Sequence, residues 1–133
     1  MNYLDFAATT PVNPEVLEVI TKEMASFGNP SSVYRIGREQ KQKIERVKKA
    51  ILSELQAAPH DAIIFTSSGS EGNNLVFESI REHFSHDKGH VIVSCVEHPS
   101  VRKPAEFLAE EGFDVTYLAP NKDGIVTVSE VEK

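Results

Sequence analysis

Ile63-Ile64-Phe65-Thr66-Ser67-Ser68-Gly69-Ser70-Glu71-Gly72-Asn73-Asn74-Leu75 reads as an apolar strand that runs through a small polar turn into a helix. Such a turn aims several backbone N–H groups, with the positive end of the helix dipole, at one point beyond the strand. That point suits a phosphate. Gly69 lets the backbone come close to a ligand, and the hydroxyls of Ser67, Ser68 and Ser70 can bond anionic oxygens. Ser68 and Glu71 also spell an S-x-x-E capping box, which closes a helix end without any ligand, and the turn taken alone favours that plainer reading. The stretch lacks the G-x-G-x-x-G of a dinucleotide site and the G-K-S/T ending of a P-loop, so neither nucleotide reading is supported.

Downstream, the turn feeds a helix over about 70–84, and His90 to Val96 is a nearly continuous apolar run, as expected of a strand buried on both faces. Cys95 within it reads as a small buried hydrophobe, since no nearby base would make it a nucleophile. Glu97-His98-Pro99-Ser100-Val101 closes the strand, with Pro99 opening a helix to about Glu111 and His98 at its mouth. Alone, His98 reads as a cap or a surface residue. Phe113 to Pro120 forms a third strand, followed by an Asn121-Lys122-Asp123-Gly124 turn and a further element starting at Lys133. From residue 62 the order is therefore strand, helix, strand, helix, strand, the pattern of right-handed parallel units with helices on both faces. Ligands of such sheets sit beyond the carboxyl ends of the strands. The Ser-Gly-Ser turn and His98 both lie at those ends, so two consecutive strands deliver an anion cradle and an imidazole to one edge.

Upstream, Asn13 caps and Pro14 opens a helix ending near Gly28, whose Val16, Val19, Ile20 and Met24 form a face expected to pack. Phe27-Gly28-Asn29-Pro30-Ser31-Ser32 is a turn cluster in which Ser31 or Ser32 can cap the next helix. That helix, about 33–56, carries an apolar stripe of Ile44, Val47, Ile51 and Leu55. Its other face holds Arg35, Arg38, Lys41, Lys43, Arg46, Lys48 and Lys49, half of the chain's 14 basic residues. No aromatic residue follows Tyr34 there to stack on bases, so the basic face reads as a solvated one.

Charge and composition set further bounds. Fourteen basic against 20 acidic residues give a net charge of −6 over 133 residues, which argues against nucleic acid or an anionic membrane as the main partner. The chain has one cysteine, no apolar run long enough to span a bilayer and no signal-like start, which together point to a reducing, cytoplasmic setting. His83, His86, Asp87 and His90 fall within eight residues, yet they read as a helix end and solvated loop, and no metal site is expected.

Four segments in order, Leu4-Asp5-Phe6-Ala7-Ala8-Thr9-Thr10-Pro11, Phe27-Gly28-Asn29-Pro30-Ser31-Ser32, Phe65 to Leu75 and Glu97-His98-Pro99-Ser100-Val101, resemble the N-terminal part of the cysteine desulfurases. These are pyridoxal 5′-phosphate (PLP) enzymes of the class V aminotransferase group. The resemblance implies an α/β fold, with residues 1–133 forming the N-terminal segment and part of the large domain of a fold type I transferase, a mostly parallel sheet flanked by helices. It puts Gly69 and Ser70 where the family binds the cofactor phosphate, and His98 where a histidine stacks on the pyridoxal ring and assists proton transfer. It also brings the Ala8-Thr9-Thr10 and Asn29-Pro30-Ser31 loops toward the active-site mouth.

The family usually has threonine at Ser70, serine at Gly72 and more often asparagine at Phe6, changes that touch substrate choice more than cofactor binding. The implied activity is removal of sulfur from L-cysteine to give alanine and an enzyme persulfide. A sulfur-acceptor or scaffold protein, a role in iron–sulfur cluster assembly and a homodimer are implied with it. Selenocysteine lyase and amino transfer are alternatives within the group. No lysine here stands in the family's Ser-x-His-Lys context, and Cys95 does not match its nucleophile loop. These 133 residues are therefore expected to be a fragment that is inactive alone, and a truncated, non-enzymatic binding module is the alternative of another class.

Overall fold

The computed structural model describes residues 2–132. The further element expected at Lys133 lies outside them. The chain forms two compact units, one up to Ile63 and one from Ile64 onward.

The first unit holds two helices, α1 (Pro14–Met24) and α2 (Arg35–Glu54). Helix α1 starts as its sequence requires: the Asn13 side chain accepts the Glu15 N–H at 2.9 Å and Pro14 occupies the first turn, where no intrahelical N–H bond is lost. Its apolar face does not pack, contrary to expectation. Val16, Val19, Ile20 and Met24 are 50%, 61%, 45% and 81% exposed, because this unit's own residues supply no surface to cover them. Helix α2 is joined to the end of α1 by Lys43, whose Nζ lies 2.6 Å from Glu23 and 3.0 Å from the Ser26 hydroxyl. Neither Ser31 nor Ser32 caps α2, again contrary to expectation. The N-cap is Tyr34 without a side-chain bond, because the preceding loop turns on itself: Asn29 accepts the N–H of Ser31 through its side chain and that of Ser32 through its carbonyl.

The second unit contains α3 (Gly69–His83), β1 (His90–Ser94), α4 (Pro99–Glu110), β2 (Asp114–Leu118) and the short α5 (Val128–Val131). Strands β1 and β2 pair in parallel, in register from His90 with Asp114 to Ser94 with Leu118, and α4 is the crossover between them. Helix α4 packs on both strands and on α3. The core lies there, in Val93, Ala105, Leu108 and Phe113. Gly124 closes the expected turn after β2 with φ +78°, a conformation that favours glycine.

Two strand expectations are corrected. Residues 62–66 are not a strand: a strand exists through its ladder, and the only ladder among the described residues is β1 with β2. Cys95 is exposed instead of buried, because β1 ends at Ser94 and no further strand among the described residues flanks it, although the Cys95 N–H still reaches the Leu118 carbonyl at 2.9 Å. Two-sided cover of the sheet is likewise incomplete. Val93 is buried, whereas Ile92, on the opposite face by the alternation of a strand, is 43% exposed.

Candidate functional site

The start of α3 is built by Ser67, Ser68 and Glu71. Ser68 is the N-cap in extended backbone, and its hydroxyl accepts the Glu71 N–H at 3.2 Å. The capping box read in the sequence is present, with one change: the Glu71 carboxylate returns to Ser67, accepting both its N–H and its hydroxyl at 2.6 Å. The Ser67 hydroxyl, and then its amide, hold the Glu71 carboxyl below the usual carboxylate range, against a smaller opposing effect of burial. Ser67 and Ser68 are thereby committed to the helix end. The first two helical amides, Gly69 and Ser70, and the Ser70 hydroxyl have no hydrogen-bond partner among the described residues. Space for a ligand exists beside them, since a methyl group added to Gly69 would meet nothing within 4 Å.

His98 is the N-cap of α4, with Pro99 in the first turn. Its Nδ1 accepts the Ser100 N–H at 3.1 Å and lies 2.9 Å from the Ser100 hydroxyl. The cap reading of His98 is therefore its structural role, which does not consume the ring: Nε2 has no hydrogen-bond partner among the described residues. Asn73, one turn into α3, donates from Nδ2 to the Ser100 hydroxyl at 2.9 Å and so ties the starts of the two helices together.

Ser70 and His98 line one cleft of about 510 Å³, together with Asn74, Arg81, Ser100 and Lys103. Two of the six are cationic, each with a carboxylate beside it: Arg81 on Glu78 and Lys103 on Glu106 at 2.7 Å. The arrangement presents neutral donors, one imidazole and two cations to a common space, with the Glu78 carboxylate and the apolar Phe77, Phe107 and Leu108 also in its wall, which suits a planar ligand that carries an anionic group. Sequence reasoning named Gly69, Ser70 and His98 but missed Asn73, Ser100, Arg81 and Lys103. The H-P-S run carried a signal for Ser100, since a residue two positions after a cap is where its amide meets the capping side chain.

Other candidates stay apart from this cleft. His83 packs edge-on against Phe84, and His90 Nε2 lies 2.8 Å from the Thr116 hydroxyl. No three His, Cys, Asp or Glu side chains gather as a metal site among the described residues, nor is any described helix long and apolar enough to cross a membrane.

Comparison with known proteins places the chain. The family model of the class-V aminotransferases matches residues 2–133. The chain belongs to this family. Among relatives of this class-V aminotransferase chain, cysteine desulfurase IscS of Dictyoglomus turgidum is 40% identical over 132 residues, covering 98% of this chain and 33% of the relative. The mitochondrial cysteine desulfurase of Eremothecium gossypii is 37% identical over 133 residues, with 98% of this chain and 27% of the relative covered. Among solved structures, SspA in complex with cysteine superposes with a TM-score of 0.90 at 37% identity, over 99% of this chain and 38% of that one. A NifS-like protein gives 0.87 at 31%, over 96% and 35%. The class-V chain thus has the α/β fold expected of it and spans about a third of the length of these relatives.

Proposed function

We propose that the cleft between the starts of α3 and α4 is the phosphate- and ring-facing part of a PLP site, in an enzyme that removes sulfur from L-cysteine. The observation that carries this reading is the convergence of Ser70, at a helix start with unpartnered donors, and His98 on one cleft. The donor set fits a phosphate monoester: two free amides at the positive end of a 15-residue helix, one free hydroxyl and open space at Gly69. When bound, the cofactor supplies an electron sink that weakens bonds at the substrate's α-carbon. Gly69 and Ser70 would hold its phosphate through their N–H groups and the Ser70 hydroxyl. His98 would lie against its ring, fix the ring's plane and carry a proton at Nε2.

The whole protein, in this reading, makes alanine and a persulfide on an enzyme thiol, which passes sulfur to an acceptor or scaffold protein in iron–sulfur assembly. It works in the cytoplasm as a homodimer. Residues 1–133 constitute the N-terminal part of its large domain and do not complete the reaction, since they offer neither a Ser-x-His-Lys lysine nor a matching nucleophile loop.

The test is made on the protein from its native source, by intact mass, by visible absorbance and by alanine and sulfide release from L-cysteine. A chain roughly three times longer, with a cofactor absorbance band and one alanine per sulfur released, is the expected result. A product of only these 133 residues, without the band, replaces the enzyme by a binding module. A band with alanine formed only from selenocysteine, or with amino transfer instead of sulfur release, replaces the reaction but not the site.

A further inference from the structure

We propose that Asn73 and Ser100 are positioning residues that lock His98 in the Nε2–H tautomer and so present an N–H, not a lone pair, at its free ring edge. A backbone N–H can only donate, so the Ser100 amide 3.1 Å from Nδ1 requires that nitrogen to be an acceptor. In a neutral ring the proton is then on Nε2.

The Ser100 hydroxyl, 2.9 Å from Nδ1, has two ways to face the ring, as donor or as acceptor. Asn73 chooses between them. Its amide Nδ2–H, 2.9 Å from Ser100 Oγ, fills an acceptor site of that oxygen and leaves the hydroxyl proton to turn toward Nδ1. The chain Asn73 Nδ2–H to Ser100 Oγ–H to His98 Nδ1 is thus ordered in one sense. Asn73 and Ser100 are both half-buried, which limits the competition from water, while His98 is exposed at the cleft.

The consequence for the reaction rests on the reading above: His98 would meet its ligand first as a hydrogen-bond donor at Nε2. The tautomer itself does not rest on it. Neither Asn73 nor Ser100 needs to touch the ligand, and each acts through His98.

The experiment is a two-bond ¹H–¹⁵N correlation spectrum of the full-length protein labelled at histidine, at a pH well above the ordinary histidine range, where the two ring tautomers have distinct nitrogen shifts. The Nε2–H form is expected to dominate in the wild-type protein. Ser100→Ala removes one of two bonds at Nδ1 and should move the tautomer ratio toward Nδ1–H by roughly fivefold. Ser100→Thr, which keeps the hydroxyl, should restore it. Asn73→Asp is the direction-sensitive variant: a carboxylate claims the hydroxyl proton, turns an Oγ lone pair to Nδ1 and shifts the ratio the same way. Circular dichroism verifies the fold of each variant, and if Asn73→Asp does not fold, the Ser100 pair decides alone.

A wild-type ring that is mostly Nδ1–H, or a ratio unmoved in folded Ser100→Ala, overturns the proposal. A locked tautomer in a protein that shows no cofactor band would overturn the functional reading and leave the positioning intact.

Discussion

Gly37 in the first turn of α2 faces Asn29 so closely that a methyl group on it would collide with the Asn29 carbonyl oxygen and with the Ser32 hydroxyl. The loop over 29–32 is therefore seated on α2 by the absence of a side chain, and Gly37 is the buried residue of that helix. The Asn29 carbonyl is backbone and already accepts the Ser32 N–H at 3.0 Å, so it cannot swing aside cheaply even where the Ser32 hydroxyl rotates away. Gly37→Ala, which would raise helix propensity at an open position, is expected here to lower stability by about 1–3 kcal/mol. Urea unfolding of the two proteins side by side checks the sign.

The other end of α2 carries strain of a different kind. Gln56 has φ +50°, the only non-glycine residue among those described with positive φ. It closes the helix as a Schellman turn, with the Ala57 N–H on the Leu52 carbonyl at 2.9 Å and its own N–H on the Ser53 carbonyl at 3.1 Å. A left-handed conformation costs a side-chain-bearing residue roughly 1–2 kcal/mol, part of which glycine gives back through its freer unfolded chain. Gln56→Gly should raise stability by about 0.5–1 kcal/mol, read as a higher thermal midpoint.

What the sequence disclosed and what it withheld divide along the range of each interaction. Asn13, Pro14, Ser68, Pro99 and Gly124 act on backbone within a few residues of themselves, and all stand where local rules put them. The parallel pairing of β1 and β2 followed from the helix between them. Residues 62–66 and the apolar face of α1 have the patterns of packed elements, but a pattern states a demand for a partner and does not supply one. The same holds at the site. Ser70 and His98 were legible through short motifs, whereas Asn73 and Ser100 act on each other across 27 residues and two helices, a contact that no local spacing encodes.

Ser70 offers a clean separation of fold from binding. Its hydroxyl makes no hydrogen bond among the described residues, so Ser70→Ala should leave the unfolding midpoint unchanged. A hydrogen bond to a charged oxygen contributes about 1.5–3 kcal/mol, so the same substitution should weaken PLP binding roughly 10- to 100-fold. An absorbance titration of the full-length apoprotein with the cofactor reads the loss. Equal affinity in both proteins would remove the Ser70 hydroxyl from the phosphate cradle.

Four carboxyls, Glu23, Glu71, Glu78 and Glu106, are held below the ordinary value of 4.5, each first by a side-chain hydrogen bond: from Lys43, Ser67, Arg81 and Lys103 respectively. A depressed folded-state value means that the unfolded chain binds protons more readily. Their contribution is therefore complete above the unfolded value and is lost as pH falls from 4.5 through the lower folded values. The urea midpoint should decline over that acid interval. All four groups are open to solvent, so the decline should shrink at high salt for the ion-paired three. Glu71 differs, because its partner Ser67 is neutral and its contribution should resist salt. Ser67→Ala removes the larger of its two hydrogen-bond causes, and the Glu71 carboxyl should then titrate closer to 4.5 in a carbon-detected NMR titration. An unchanged titration would mean that the helix dipole, and not the Ser67 hydroxyl, sets the protonation of Glu71 at the start of α3.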